Sequence, residues 1–167
     1  MTIEIPGTQA HAGFDRLIGL QYVHAGPDRV ELRLPVTPQL LQPYGIVHGG
    51  VLCALVETAG SVGAALWFAD RGNVVGVANH TDFLRATRDG TLVAVGTPIH
   101  RGRTQQLWLV EISDEQDRLV ARGQLRAANL ADAGRLGRGA SEPDGAAASG
   151  TGPAGAADGE PPAPSAP

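Results

Sequence analysis

Residues 42–69 read QPYGIVHGGVLCALVETAGSVGAALWFA, and the architecture of the whole chain follows from them. A glycine-rich loop that contains His48 leads into a long apolar segment of helical length, and this segment contains a single carboxylate, Glu57. The other strongly periodic segments alternate between apolar and polar side chains, which is the pattern of half-buried strands. The sequence therefore predicts one long central helix wrapped by one sheet.

Strand-like runs lie on both sides of this helix, and turn sequences rich in Gly, Pro, Asn and Asp separate them. A single long helix followed by consecutive hairpins predicts an α+β domain with an antiparallel β-sheet curled around the helix. A short helix is predicted at 11–20 and an irregular loop at 37–47, where two prolines disfavour a regular element. The predicted strands lie at 22–24, 30–36, 74–85, 91–101, 105–113 and 118–130.

The chain changes character after residue 130. Ala, Gly, Pro and Ser dominate from there on, and such a segment buries too little apolar surface to offset its ordering entropy. We therefore predict a folded domain at 1–130 and a disordered Ala/Gly/Pro-rich tail at 131–167.

Composition and charge exclude several kinds of partner. The net charge is −4 and no basic patch stands out, so no nucleic-acid partner is expected. The single cysteine, Cys53, excludes an internal disulfide. The first residues do not have the cationic stretch followed by an apolar core that is typical of a secretory signal, so a cytoplasmic protein is expected. Glu57 and the polar residues near it argue against a membrane span. No cluster of Cys, His and Asp has metal-ligand spacing, so no metal and no cofactor are predicted.

The predicted helix has two distinct faces when its residues are placed at 100° intervals. One face is a large apolar stripe and is predicted to be the core. The other face has small residues around one carboxylate, so either a neighbouring helix or a slender ligand should approach it closely. The apolar stripe comprises Leu52, Leu55, Val56, Ala59, Val62 and Leu66, and the small face comprises Cys53, Glu57, Gly60, Ser61 and Ala64.

The helix entry carries the candidate chemistry. Glu57 has no basic residue three or four positions away, and a carboxylate among small apolar residues suits a base or a nucleophile. Gly49 and Gly50 stand directly before the helix, where bare backbone N–H groups at the positive end of the helix dipole favour a developing oxyanion. His48 is either a loop residue bonded to the backbone or a part of this site.

Helix geometry separates these two groups. Gly49 and Glu57 are eight positions apart, about 12 Å along a helix axis, so one substrate carbonyl cannot touch both in the same chain. Two helices packed antiparallel about a two-fold axis would bring Gly49 of one beside Glu57 of the other. The sequence thus predicts composite sites at a dimer interface.

Several segments of the chain together match a known pattern: Gln42, YGIVHGG at 44–50, Glu57, Ser61, TDFLR at 81–85 and HRGRT at 100–104. With these segments the sequence closely resembles the hot-dog-fold acyl-CoA thioesterases, and its nearest branch is that of the phenylacetate-degradation and second-type 4-hydroxybenzoyl-CoA thioesterases. The resemblance covers about residues 20–130 and includes the order of elements.

This resemblance implies a role for each matching residue. Glu57 would be the catalytic carboxylate, which attacks the thioester or activates water. The Gly49 N–H would polarise the thioester carbonyl, and Gln42 would bind near that carbonyl or position water. His48 would hold the loop and contact the thioester end, and Ser61 would support Glu57 or the acyl group.

The resemblance also implies how the substrate is held. Arg85, Arg101 and Arg103 would bind the phosphates of coenzyme A, with Arg88 a weaker candidate, or they are ordinary solvated charges at strand ends. Gly50, Asn79 and Thr81 would line the path of the substrate. The CoA thioester is the substrate, so no separate cofactor is implied, and the chain would self-associate to a homodimer or homotetramer.

Two other functions remain compatible with these motifs. The first is an enoyl-CoA hydratase or dehydratase on the same fold, although the acid and histidine motif usual for those enzymes is not found here. The second is a non-catalytic acyl-CoA-binding module. Hydrolysis of an acyl-CoA or aroyl-CoA thioester is the function that the motifs favour.

Overall fold

The computed structural model describes residues 13–131 of the chain. The predicted tail from 132 onward, and the first residues of the helix predicted at 11–20, lie outside this range. The helices are α1 (Phe14–Ile18) and α2 (Gly49–Phe68), with short 3₁₀ turns at Pro38–Leu40 and Ala69–Arg71. The strands are β1 (Gln21–Ala25), β2 (Val30–Pro35), β3 (Asn73–Phe83), β4 (Thr91–Arg101), β5 (Gln105–Ser113) and β6 (Leu119–Leu130).

The six strands form one antiparallel sheet in the order β1-β2-β4-β5-β6-β3. Helix α2 packs against five of them, β2 to β6, so the sheet curls around the helix. This is the hot-dog architecture, and both the fold class and the six strands agree with the sequence-based prediction.

Helix α2 lies close to the sheet because it has glycine where large side chains of the strands approach. A Cβ added at Gly60 would come within 2.6 Å of Leu125, and one added at Gly63 would overlap the ring of Trp108. Leu125 and Trp108 are fully buried. These glycines let two large apolar side chains fill the space beneath the helix.

This packing corrects part of the predicted face assignment. Gly60 and Ala64 are buried against the chain's own sheet, not presented to a neighbouring helix or ligand. Val62 and Leu66, predicted as core, are only partly buried. The reason is that the curved sheet covers α2 on more than one side, which a two-faced helical wheel does not represent. Cys53, Glu57 and Ser61 remain half-exposed.

The loop before α2 is more regular than predicted. Pro38 opens a 3₁₀ turn, where its missing N–H costs nothing because the first N–H groups of a helix have no internal partner. An isolated bridge joins Leu41 to Val47, and the Gln42 N–H donates to the Ile46 carbonyl at 2.8 Å. The segment 41–47 is thus a closed turn that delivers the chain to α2.

The segment Gly49–Arg71 is long and apolar enough to cross a membrane by composition alone. In this structure it is the core helix, since it packs against five strands of its own chain. Its hydrophobicity is therefore explained by the fold, and the prediction of a soluble helix agrees with this.

Strand β3 forms one edge of the sheet and is the most exposed long strand. Its register with β6 shifts between Gly76 and Ala78, so Val77 is a bulge residue, and 53% of its surface is exposed. Bulges redirect side chains and occur next to active sites. The strand also passes along the half-exposed side of α2 where Glu57 lies.

Candidate active site

The entry of α2 is built around His48. Its Nδ1 accepts a hydrogen bond from the Gly50 N–H at 2.9 Å, and its carbonyl accepts one from the Val51 N–H. His48 is therefore the N-cap of the helix. The Gly50 N–H is occupied by this cap, which corrects the expectation that both glycine N–H groups are bare. Of the two glycine N–H groups, that of Gly49 is the one left without an acceptor within residues 13–131.

A cavity of about 260 Å³ opens beside Gly49. Gly49 is needed here because a Cβ would come within 2.9 Å of the Phe83 ring, so a side chain would close the approach to the N–H. The cavity combines the Gly49 backbone, one amide side chain, one arginine and an apolar lining. Its walls are Gln42, Ile46, Val47, Gly49, Leu52, Phe83, Leu84, Arg85, Ala86, Thr87 and Val120.

Glu57 lies in the middle of α2, in a separate polar cluster. Ser61 Oγ donates to Glu57 Oε1 at 3.0 Å from one turn further along the helix. Asn79 Nδ2 on β3 is 3.0 Å from the Cys53 carbonyl and 3.4 Å from Glu57 Oε2. Thr81 Oγ1 donates to Asn79 Oδ1 at 2.8 Å, which orients the Asn79 amide toward the helix. Glu57 is thus held at both carboxylate oxygens.

Gly76 on β3 makes room for this carboxylate. A Cβ built at Gly76 would overlap Glu57 Oε1 and would lie 3.1 Å from the carboxyl carbon. Glycine inside a strand weakens the strand and marks a place where another group approaches the backbone closely. Gly76 and the adjacent bulge therefore serve the placement of Glu57.

The predicted catalytic residues fall into two clusters in one chain. Gln42 and Gly49 share the cavity at the helix entry with Arg85, whereas Ser61, Asn79 and Thr81 surround Glu57. Glu57 does not line the cavity, and about 12 Å of helix separates it from Gly49. One cluster has an oxyanion donor and the other has a carboxylate.

A helix-borne carboxylate, an open N–H at a helix entry and a sheet curled around that helix together point to one family. The family model described as the thioesterase superfamily matches residues 44–121. A Mycobacterium tuberculosis protein is 50% identical over 120 residues, which cover 70% of this chain and 86% of that protein. The chain belongs to the thioesterase superfamily.

Two further relatives are named for hydrolysis of thioesters. The 1,4-dihydroxy-2-naphthoyl-CoA hydrolase of Escherichia coli is 32% identical over 130 residues, 78% of this thioesterase and 96% of the relative. The crystal structure of a Haemophilus influenzae thioesterase superimposes with a TM-score of 0.70 at 32% identity, over 77% of this chain and 91% of that one. The predicted fold and the predicted enzyme class, an acyl-CoA thioesterase, are confirmed.

The arginines of the thioesterase differ in how they are engaged. Arg101 donates to the Pro27 carbonyl at 2.9 Å and to Asp28 Oδ1 at 2.8 Å, and it stacks over the ring of Trp67. Its charge is therefore compensated within the chain. The Arg88 guanidinium donates to the Tyr44 and Gly45 carbonyls and so supports the turn before α2.

Arg85 and Arg103 are different from these two. Both are exposed, and neither side chain has a hydrogen-bond or carboxylate partner in the part of the chain that the structure describes. Arg85 lines the cavity at the helix entry, whereas Arg103 lies in the turn between β4 and β5. Of the four arginines considered for binding coenzyme A, these two remain available for an anionic ligand.

Sequence reasoning missed Gly76 and the hydrogen-bonded pair of Gln106, which is buried, and Asn129, which is partly buried. A glycine inside a predicted strand is a recognisable signal, and it could have directed attention to Gly76. Gln106 is 1% exposed, and its only sequence signal is a polar residue within an apolar strand. Its partner on another strand cannot be identified without the sheet register.

Proposed function

We propose that this thioesterase hydrolyses an acyl-CoA or aroyl-CoA to the free acid and CoA in the cytoplasm, at sites shared between two subunits. The observation that carries this proposal is the division of the catalytic residues into two clusters. In the carboxylate cluster the donors of Ser61 and Asn79 are already bonded to Glu57 and to the Cys53 carbonyl, and the residues described around the cavity at Gly49 include no carboxylate. Each half has what the other lacks.

An antiparallel dimer would join the two halves. Among residues 13–131, strand β3 is at the edge of the sheet, is 11 residues long and pairs on one side only, and natural proteins rarely leave such an edge open. Pairing β3 with its counterpart about a two-fold axis would bring the partner's helix entry toward Glu57. Exposed apolar side chains at Val77 and Phe83 on the same strand also favour such a contact.

The chemistry assigned to each half is then complete. Glu57 would either attack the thioester carbon and form a mixed anhydride, which a water molecule then hydrolyses to the free acid and the Glu57 carboxylate, or remove a proton from a water molecule that attacks the thioester carbon. The C–S bond breaks when the tetrahedral intermediate collapses, and the sulfur leaves as the thiolate of CoA and is then protonated. Gly49 of the partner would stabilise the oxyanion through its N–H, as backbone donors do at acyl-transfer sites. Gln42 would lie beside the same carbonyl.

The acyl group is proposed to be aromatic. The cavity next to Gly49 is lined by apolar side chains, among them Leu52, Phe83 and Val120, which suit a flat apolar ring. The E. coli relative is named for a naphthoyl-CoA. A dihydroxylated or unsubstituted aroyl-CoA is therefore the first substrate class to examine.

The phosphates of CoA are proposed to meet Arg103 and the partner's counterpart of Arg85. Guanidinium groups bind phosphate oxygens in a forked geometry, and these two side chains have no internal partner among residues 13–131. In the shared site, Arg103 would come from the subunit that provides Glu57. The partner subunit's Arg85 would lie beside the helix entry that provides the Gly49 N–H.

A screen of thiol release across short, long and aromatic acyl-CoAs tests the function. We expect release of CoA from aroyl-CoA with a kcat/KM well above that for short acyl groups. Addition of water to an enoyl-CoA without thiol release would instead identify a hydratase. Tight binding of CoA esters with no thiol release would identify a binding module, and either of these results would refute the proposal.

A further inference from the structure

Asn129, near the end of β6, binds the whole turn between β4 and β5. Its backbone N–H donates to the Thr104 carbonyl at 2.9 Å. Its side-chain Nδ2 donates to the Gly102 carbonyl at 2.9 Å and to the Arg103 carbonyl at 3.3 Å. One residue therefore provides a donor to each of the three carbonyls of this turn.

The orientation of the Asn129 amide is set by a buried chain of hydrogen bonds. Trp108 Nε1 can only donate, and it donates to Gln106 Oε1 at 3.0 Å. The Gln106 Nε2 must then face the other way, where it donates to Asn129 Oδ1 at 2.7 Å and to the Ala64 carbonyl of α2 at 3.1 Å. Asn129 Oδ1 thus faces Gln106, and its Nδ2 faces the turn.

The turn held in this way presents donors to the outside. Its carbonyls are bonded to Asn129, whereas the N–H groups of Arg103 and Thr104 have no acceptor within the described range. The side chains of both residues are exposed. Two backbone N–H groups beside a guanidinium and a hydroxyl form a combination that binds phosphate oxygens well.

The turn is also close to the carboxylate cluster along the sheet. Asn129 pairs with Val74 on β3, and Gly76, against which Glu57 packs, is two residues further along that strand. Two residues of a strand span roughly 7 Å. The turn, which binds Asn129 from the β5 side of β6, therefore lies across β6 from the stretch of β3 against which Glu57 packs.

We propose that Asn129 is a positioning residue for the substrate: it fixes the turn 102–104 in the shape in which Arg103 binds a phosphate of CoA. Gln106 and Trp108 act through it by fixing its amide. This inference rests on the proposed function, because it needs a CoA thioester as the substrate. It assigns no contact between Asn129 and the substrate itself.

The test compares two substrates that carry the same acyl group, a CoA thioester and a pantetheine thioester without the nucleotide phosphates. In Asn129→Ala we expect the KM for the CoA thioester to rise about tenfold with kcat within about twofold. Both constants for the pantetheine thioester should stay at the wild-type values. Gln124→Ala is the matched control, because Gln124 is an exposed amide on the same strand.

A double variant separates positioning from general stability. If Asn129 acts through Arg103, the double variant Arg103→Ala and Asn129→Ala should have the same KM as Arg103→Ala alone. The reason is that each change removes the same interaction, the one between Arg103 and the phosphate. Additive effects on KM would overturn the proposal, as would equal losses on both substrates. Should Asn129→Ala fail to fold, Asn129→Asp decides in the same assay, because it keeps the size and replaces a donor by an acceptor. Wild-type protein that hydrolyses neither substrate would instead count against the proposed function.

Discussion

The carboxylate of Glu57 on the central helix packs directly against the backbone of Gly76 on the edge strand, with no room for a side chain between them. Ser61 and Asn79 hold the two carboxylate oxygens from the helix and from the strand. The position of the carboxylate is thus fixed by the central helix and by the strand that follows it in the chain. Changes on either element should affect catalysis.

Replacement of Gly76 by alanine tests this contact. The added Cβ would occupy the place of Glu57 Oε1 and displace the carboxylate. We expect kcat to fall about 100-fold, the loss that follows from a displacement of about 1 Å of a catalytic group. This fall in kcat is measured by steady-state hydrolysis of the preferred acyl-CoA. The control is Ala78→Ser, because Ala78 is an exposed position on the same strand. A second glycine-to-alanine change, Gly123→Ala, would not serve as a control, because its Cβ would also be crowded.

Replacement of Glu57 by glutamine tests the catalytic assignment itself. Glutamine keeps the size of the side chain and its bond with Ser61 but removes the negative charge. We expect kcat to fall by about 10²–10⁴-fold, the contribution that a positioned acid or base makes. Circular dichroism and the melting temperature should remain close to those of the wild type. Turnover at the wild-type rate would remove Glu57 from the mechanism.

Mixed dimers test the shared site. Glu57→Gln and Gln42→Ala should each be nearly inactive alone. If Glu57 and Gln42 of one site come from different subunits, a mixed dimer has one site with both defects and one site with neither. Co-expression of the two variants in equal amounts should then restore about a quarter of the wild-type activity, since about half of the dimers are mixed. Sites contained within one chain would give no restoration.

The turn between β5 and β6 gives a prediction for stability at low pH. Arg118, together with the backbone N–H groups of Arg118 and Gln116, holds the pKa of Asp114 below its ordinary value. A lowered pKa in the folded state means that the ionised Asp114 contributes stability above the unfolded value of 3.8. This contribution is lost as the pH falls through the folded pKa.

The variant Asp114→Asn checks this contribution. Its melting temperature should be below that of the wild type at pH 7, and the difference should shrink as the pH is lowered from about 5 toward 2. A difference that is constant over this range would show that Asp114 acts through its size and hydrogen bonds alone. Glu115→Gln, an exposed neighbour on the same turn, is the control.

The strands and the central helix were predictable because their signals are local. Alternation of apolar side chains located β4 and β5 to the residue, and the glycines before 51 located the start of α2. The distance between Gly49 and Glu57 depends only on helix geometry, so the separation of the two candidate groups also follows from the sequence alone.

The contacts across the sheet were not predictable in this way, because they depend on register and curvature. The burial of Gly60 beneath Leu125 follows from a sheet that covers the helix on more than one side. The engagement of Arg101 by Asp28 joins residues more than seventy positions apart. The sequence therefore determined which elements form and indicated which residues are the candidates for the chemistry. The tertiary structure decided which of the candidate arginines are engaged within the chain, that Gly76 packs against Glu57 and that Asn129 binds the turn 102–104, since these contacts depend on how the strands pair and how the sheet curves around the helix.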